Sequence, residues 1–151
     1  MSHVACRVYD DYAHHPTEIK ASLAAFREKF PTSQIVCVFQ PHQAKRLKAL
    51  FREFQSAFDA ADITLIMPTY EVAGRDKRTS KNAEALVRAM QKRHPKQRVF
   101  YLNNPKNLKA ILGRMLRVHG PCGSAFSLRK SVVVVMMGAG DIVQYTDRLV
   151  S

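Results

Sequence analysis

The sequence predicts an α/β domain: an open, mostly parallel sheet of five to six strands with helices on both faces. Three observations carry that expectation. Short apolar segments rich in Val, Ile and Phe recur along the 151 residues, at 4–9, 35–39, 63–67, 99–102 and 132–137. Each is followed by a stretch with apolar residues at helical spacing, and parallel strands require such crossovers, which are right-handed. Several segments are apolar without alternation, the pattern of strands covered on both faces. The arrangement is Rossmann-like, and in such sheets ligands bind beyond the carboxyl ends of the strands.

The first strand, 4–9, runs into the turn Asp10-Asp11-Tyr12-Ala13-His14-His15, and Pro16 opens the first helix, a position that suits proline. Ile19, Leu23, Phe26 and Phe30 form its apolar stripe and Pro31 ends it. The second strand, 35–39, breaks at Gln40-Pro41-His42-Gln43, and Leu47, Leu50, Phe51, Phe54 and Phe58 mark one face of a helix over about 44–58. After the third strand, 63–67, a loop runs through Tyr70 and Gly74. Thr79 or Ser80 is expected to cap a third helix with Ala83, Leu86, Val87 and Met90 buried. The fourth strand, 99–102, is followed by Asn103-Asn104-Pro105, a cap and opening proline for a helix carrying Leu108, Ile111, Leu112, Met115 and Leu116. Residues 119–130 read as a loop. The fifth strand, 132–137, turns at Gly138-Ala139-Gly140, and Asp141 is expected to cap a last helix to about Leu149.

The length suits one domain, 1–151. With 46% hydrophobic and 24% charged residues the chain reads as soluble and globular, and no apolar run approaches the ~18 residues of a membrane span. No secretory leader is evident, so the cytoplasm is expected. Cys6, Cys37 and Cys122 have no Cys-x-x-Cys spacing and are read as buried, reduced thiols with no metal role. The net charge of +12 is uneven: no acidic residue falls between Glu84 and Asp141, where Lys106, Lys109, Arg114 and Arg117 are among the bases. That electropositive flank can attract phosphates, and its ordinary readings are a solvated face or a surface that meets an acidic neighbouring domain. No aromatic-rich motif interleaves it, so nucleic acid is an unlikely partner, and no membrane partner is expected.

The loops after strands one, two, three and five share one rim, which collects Asp11, Tyr12, His14, His15, Gln40, His42, Tyr70, Gly74 and Asp141. Asp11 can accept from ribose hydroxyls, though capping a turn is the ordinary use of such a carboxylate. His14 and His15 can donate to phosphate or carboxylate oxygens, at roughly 1.5 to 3 kcal/mol for a charge-assisted bond. Adjacent histidines chelate poorly, and no metal site is expected. His42, with Arg46 in the first turn of the second helix, can meet an anion. No Gly-x-x-x-x-Gly-Lys-Ser/Thr run exists, so the domain alone is not expected to hold ATP tightly. Neither a Ser-His-Asp order nor a zinc signature suggests an independent hydrolase.

Three stretches carry a family resemblance: Asp10-Asp11-Tyr12-Ala13-His14-His15-Pro16-Thr17-Glu18-Ile19, Val38-Phe39-Gln40-Pro41-His42 and Met137-Gly138-Ala139-Gly140-Asp141-Ile142. In this order and spacing they resemble the C-terminal domain of the Mur ligases, nearest the alanine-adding members, over about residues 8–149. The resemblance implies part of a bacterial, ATP-dependent, amide-forming ligase of peptidoglycan biosynthesis. In that family ATP activates the carboxylate of UDP-N-acetylmuramate as an acyl phosphate, which the amino group of L-alanine attacks. ATP and Mg are then implied for the complete enzyme. The implied partners are an N-terminal UDP-sugar domain and a central P-loop domain, neither of which lies within this sequence, and this domain is inactive alone. By resemblance Asp11 and His14 bind ATP, Asp11 at the ribose and His14 nearest the acyl-phosphate region, and no residue stands as a confirmed catalyst. Tyr12, His42 and Arg46 would orient the amino acid, with Arg46 toward its carboxylate. Alanine-adding members continue Gln-Pro-His with Arg-Tyr-Ser-Arg; here Gln43-Ala44-Lys45-Arg46 replaces one of two expected arginines, which leaves the amino acid's identity open. The alternative is a stand-alone anion, nucleotide or nucleic-acid binding module that reuses the fold.

Overall fold

Continuous β-branched runs and the stretches between them become strands β1 (Ala5–Asp11), β2 (Gln34–Phe39), β3 (Ile63–Ile66), β4 (Arg98–Tyr101) and β5 (Ser131–Met137). The helices are α1 (Pro16–Lys29), α2 (Ala44–Ala49), α3 (Phe51–Ala57), α4 (Ala83–Arg93), α5 (Leu108–Arg117) and α6 (Val143–Val150), with a 3-10 turn, Pro105–Asn107, before α5. The computed structural model describes residues 5–70, 82–117 and 131–150. Gly74, the expected cap at Thr79 or Ser80, Cys122 and the loop 119–130 lie outside them.

The strands form one sheet in the order β1-β5-β2-β3-β4, and all neighbours are parallel. Passing from β1 to β2, then β3, then β4, the chain steps toward one edge, and right-handed crossovers put α1 to α4 on one face. The return from β4 to β5 reverses direction, so α5 belongs to the opposite face. The cores agree. Ile19, Leu23, Leu47, Phe54, Phe58, Leu86 and Met90 pack on Ile35, Cys37, Phe39, Val133, Val135 and Met137. On the other face Leu108, Leu112 and Ile142 cover Val36, Val38, Leu65, Val132, Val134 and Met136. Both faces of β5 are thus buried, which is why its sequence does not alternate. Phe39 lies 5.7 Å from Phe54 and 5.1 Å from Phe58, ring to ring, and each such buried side chain contributes about 1.5 to 3 kcal/mol. Burial, followed by the negative charge of Asp11, pushes the Cys37 thiol up, so this cysteine is an inert core residue.

Several expectations are corrected. Strand β1 continues through Asp10 and Asp11, because both stay in register with Met136 and Met137 of β5. The helix expected over 44–58 bends at Leu50 (φ −108°, ψ 24°) into α2 and α3. Bonds from Leu50 N to Arg46 O and from Phe54 N to Leu50 O carry the chain through that bend. Asn82 caps α4, its side chain accepting from Ala85 N at 2.9 Å. Cys6 is exposed rather than buried, since β1 is an edge strand with no neighbour on its far side among the described residues. The carboxylate of Asp141 takes a bond from Gln40, and its backbone O instead accepts from Gln144 N. In the basic flank Lys92, Lys96, Lys106, Lys109 and Arg114 are exposed, as in the solvated-face reading. Among the described residues no helix is long and apolar enough to cross a membrane.

Candidate functional site at the carboxyl end of the sheet

The loops leaving β1 and β2 turn toward the face of α1 to α4, whereas the loop leaving β5 between them leads to α6, whose Ile142 end packs on the opposite face. The chain therefore parts on both sides of β5, which is where crevices open in such sheets. Register fixes the level: Asp11, Met137 and Phe39 lie side by side, Gly138 N donates to Asp11 O at 3.0 Å, and Gln40 N donates to Met137 O at 3.0 Å. With strands about 4.8 Å apart, the β1 and β2 turns face each other across roughly 10 Å.

The end of β1 separates the roles of its two carboxylates. Asp10 Oδ1 accepts from the Thr146 hydroxyl and so ties β1 to α6. Asp11 Oδ1 accepts from Ala13 N at 2.8 Å, and its Oδ2 meets no other donor among the described residues. His15 is the N-cap of α1: its Nδ1 accepts from Thr17 N at 3.3 Å, while Glu18 Oε2 accepts from His14 N at 3.1 Å and His15 N at 3.2 Å. This is a capping box with histidine in the place usually held by Ser or Thr. His14 Nδ1 donates to Tyr12 O at 2.9 Å. In their neutral forms the two imidazoles are therefore opposite tautomers, His14 keeping an Nε2 lone pair and His15 an Nε2–H. Tyr12, at 73% exposure, stands edge-on to His14 with ring centres 5.4 Å apart.

The two amide donors hold the Glu18 carboxyl below its usual range. A depressed folded pKa contributes stability above the unfolded value, which is lost as pH falls through the folded one. Glu18→Ala is expected to cost about 0.5 to 1 kcal/mol at pH 7, at the low end for a cap because the carboxylate is exposed. The difference should shrink below about pH 4. Urea melts of both proteins at pH 7 and pH 3 check this; an equal difference at both would contradict it.

In the β2 turn Gln40 and Pro41 are buried, and Gln43, the residue before α2, has φ 66° and ψ 111°. A non-glycine residue there stores on the order of 1 to 3 kcal/mol. Beyond it, Arg46 Nη1 is buried and meets no hydrogen-bond partner among the described residues. From the end of β3, Tyr70 N donates to Pro41 O at 2.7 Å, and the Tyr70 and His42 rings stack, 11° from parallel with centres 5.4 Å apart. In the β5 turn Gln40 Nε2 donates to Asp141 Oδ1 at 2.7 Å. Both glycines are required by this packing. A Cβ on Gly138 (φ 154°) would sit 3.0 Å from Gln40 O, and one on Gly140 would sit 2.7 Å from Gln40 Oε1 and 2.9 Å from Tyr70 Cγ.

The expected residues thus fall into two groups on one rim, Asp11, Tyr12, His14 and His15 in one turn and Gln40, His42, Tyr70 and Asp141 in the contacts around the other. Arg46 follows His42 on α2. No cluster of three or more His, Cys, Asp or Glu among the described residues could hold a metal ion. The Tyr70 stack had no signal in the sequence, since it depends on β3 lying beside β2, and the residue type of Gln43 does not mark its positive φ.

The chain matches the family described as Mur ligase, glutamate ligase domain, over residues 1–140. It belongs to that Mur ligase family. It is 38% identical over 142 residues to the UDP-N-acetylmuramate--L-alanine ligase of Sulfurihydrogenibium sp. (strain YO3AOP1), a match covering 94% of this chain and 28% of the relative. A solved structure of the UDP-N-acetylmuramate-alanine ligase of Thermotoga maritima aligns with a TM-score of 0.66 at 23% identity, over 96% of this chain and 26% of that one. A murein peptide ligase from Psychrobacter arcticus aligns with a TM-score of 0.62 at 16% identity, over 99% and 28%. Both likenesses show the Mur ligase domain fold. The chain spans 28% of the length of the Sulfurihydrogenibium relative.

Proposed function

We propose that this chain is the amino-acid-binding and ATP-closing domain of a bacterial, cytoplasmic UDP-N-acetylmuramate:L-alanine ligase of peptidoglycan biosynthesis. It works with a UDP-sugar domain and a P-loop domain and is inactive without them. The observation that carries the reading is Nη1 of Arg46, buried and with no hydrogen-bond partner among the described residues. Arg46 as a whole is half-buried, but a guanidinium keeps its charge, and a donor held out of water with its bond unmade is suited to a ligand anion. An amino acid's carboxylate matches the planar fork of arginine.

Across the crevice, Tyr12 helps orient the amino acid and His14 stands nearest the acyl phosphate. Asp11 Oδ2 takes a ribose hydroxyl of ATP, its partner oxygen being already fixed by Ala13 N. ATP with magnesium supplies the activation of the muramoyl carboxylate. Magnesium is held by the P-loop domain. The work of this chain is to bind, orient and exclude water.

The assignment predicts a division of kinetic effects when the chain is combined with the first two domains of the Sulfurihydrogenibium relative. Asp11→Asn should raise the KM for ATP, and His42→Ala the KM for L-alanine, each by about 10- to 100-fold, with the other KM little changed. The reverse pattern, or no change in either, would break the assignment.

A further inference from the structure

We infer that Tyr70 is a positioning residue for amino-acid binding: its ring fixes the plane of the His42 imidazole, and position 140 is glycine so that this ring can seat. The inference rests on the amino-acid reading of His42 and Arg46. Tyr70 reaches the site from a different strand end, and three contacts set its place. Its N–H donates to Pro41 O at 2.7 Å, its backbone forms a parallel bridge with His42, and its ring lies 11° from parallel to the imidazole with centres 5.4 Å apart. A stack of this kind orients a ring without using its nitrogens for the purpose.

Behind Tyr70 stands the β5 turn. A Cβ at Gly140 would fall 2.9 Å from Tyr70 Cγ and 3.1 Å from Tyr70 Cβ. The turn is itself held by Gln40, whose Nε2 donates to Asp141 Oδ1 at 2.7 Å. Gln40 Oε1, buried and without a hydrogen-bond partner among the described residues, packs against Gly140. Contacts thus run from Asp141 through Gln40 and Gly140 to Tyr70 and on to His42. Tyr70 is only partly buried and belongs to neither hydrophobic core, so folding has little need of its ring.

Two readouts test this. In the chain alone, the His42 ring proton resonances, assigned through His42→Ala, should carry an upfield ring-current shift that Tyr70→Phe keeps and Tyr70→Leu loses. With the first two domains of the Sulfurihydrogenibium relative added, Tyr70→Leu should raise the L-alanine KM about 3- to 10-fold, and Tyr70→Phe should restore it. The kcat should change less than about twofold, as for lost uniform binding. If Tyr70→Leu leaves either the His42 shift or the KM unchanged while His42→Ala raises the KM, the inference is wrong and the amino-acid reading stands. If His42→Ala and Arg46→Ala also leave the KM unchanged, or the mixture never turns over, the amino-acid reading fails and takes this inference with it.

Discussion

Replacing Arg46 by methionine should raise the KM for L-alanine by at least about 100-fold while leaving the chain as stable as before, or more so. Removing one member of a buried charge pair costs about 3 to 5 kcal/mol in the complex, which is roughly two to three and a half decades of affinity. In the free chain the balance reverses. Arg46 is half-buried and its Nη1 is buried with no partner among the described residues, so this donor is a liability until an anion arrives. Methionine keeps the apolar stem without the open donor. Arg46→Lys should fall between, retaining a cation but losing the two-pronged geometry. Thermal melts of the chain and ligation kinetics with the complementary domains separate the cases. A lower Tm with an unchanged KM would make Arg46 a structural residue and remove the main support for a carboxylate site.

Gly140→Ala should damage stability and binding together. Its Cβ would lie 2.7 Å from Gln40 Oε1 and 2.9 Å from Tyr70 Cγ, and neither neighbour yields cheaply. Gln40 is 6% exposed and anchored to Asp141, and Tyr70 is tied through its N–H to Pro41. Overpacking of this kind costs about 1 to 3 kcal/mol, or roughly 2 to 10 °C in Tm for a domain of this size. Because the strain falls on Tyr70, the L-alanine KM should rise at least as far as in Tyr70→Leu. A Tm and KM both matching the parent would mean that the β5 turn does not brace the ring.

What the sequence disclosed and what it hid have physical reasons. Buried parallel strands were legible because Val132 to Met137 and Ile35 to Phe39 must be apolar on both faces. The end of β1 was not, because Asp10 and Asp11 look like turn residues; pairing with β5 carries them, and Thr146 satisfies Asp10. The bend at Leu50 was hidden because the apolar spacing runs straight through it. Asn82 lost to Thr79 and Ser80 in the reading because all three residue types make good caps. At the site, the rim followed from strand ends and the residue types suggested ribose and anion contacts, while their assignment to ATP or the amino acid came from the family resemblance. The lock of Gln40 on Asp141 and the stack of Tyr70 on His42 depend on β5 and β3 flanking β2, an order that local periodicity does not specify.

The most direct test is ATP-dependent ligation of UDP-N-acetylmuramate and L-alanine by three samples: this chain, the first two domains of the Sulfurihydrogenibium ligase, and their mixture. Turnover in the mixture alone, lost again with Arg46→Met, is the expected result. No turnover in the mixture, or the same turnover without this chain, would contradict an amino-acid-binding, closing role for it.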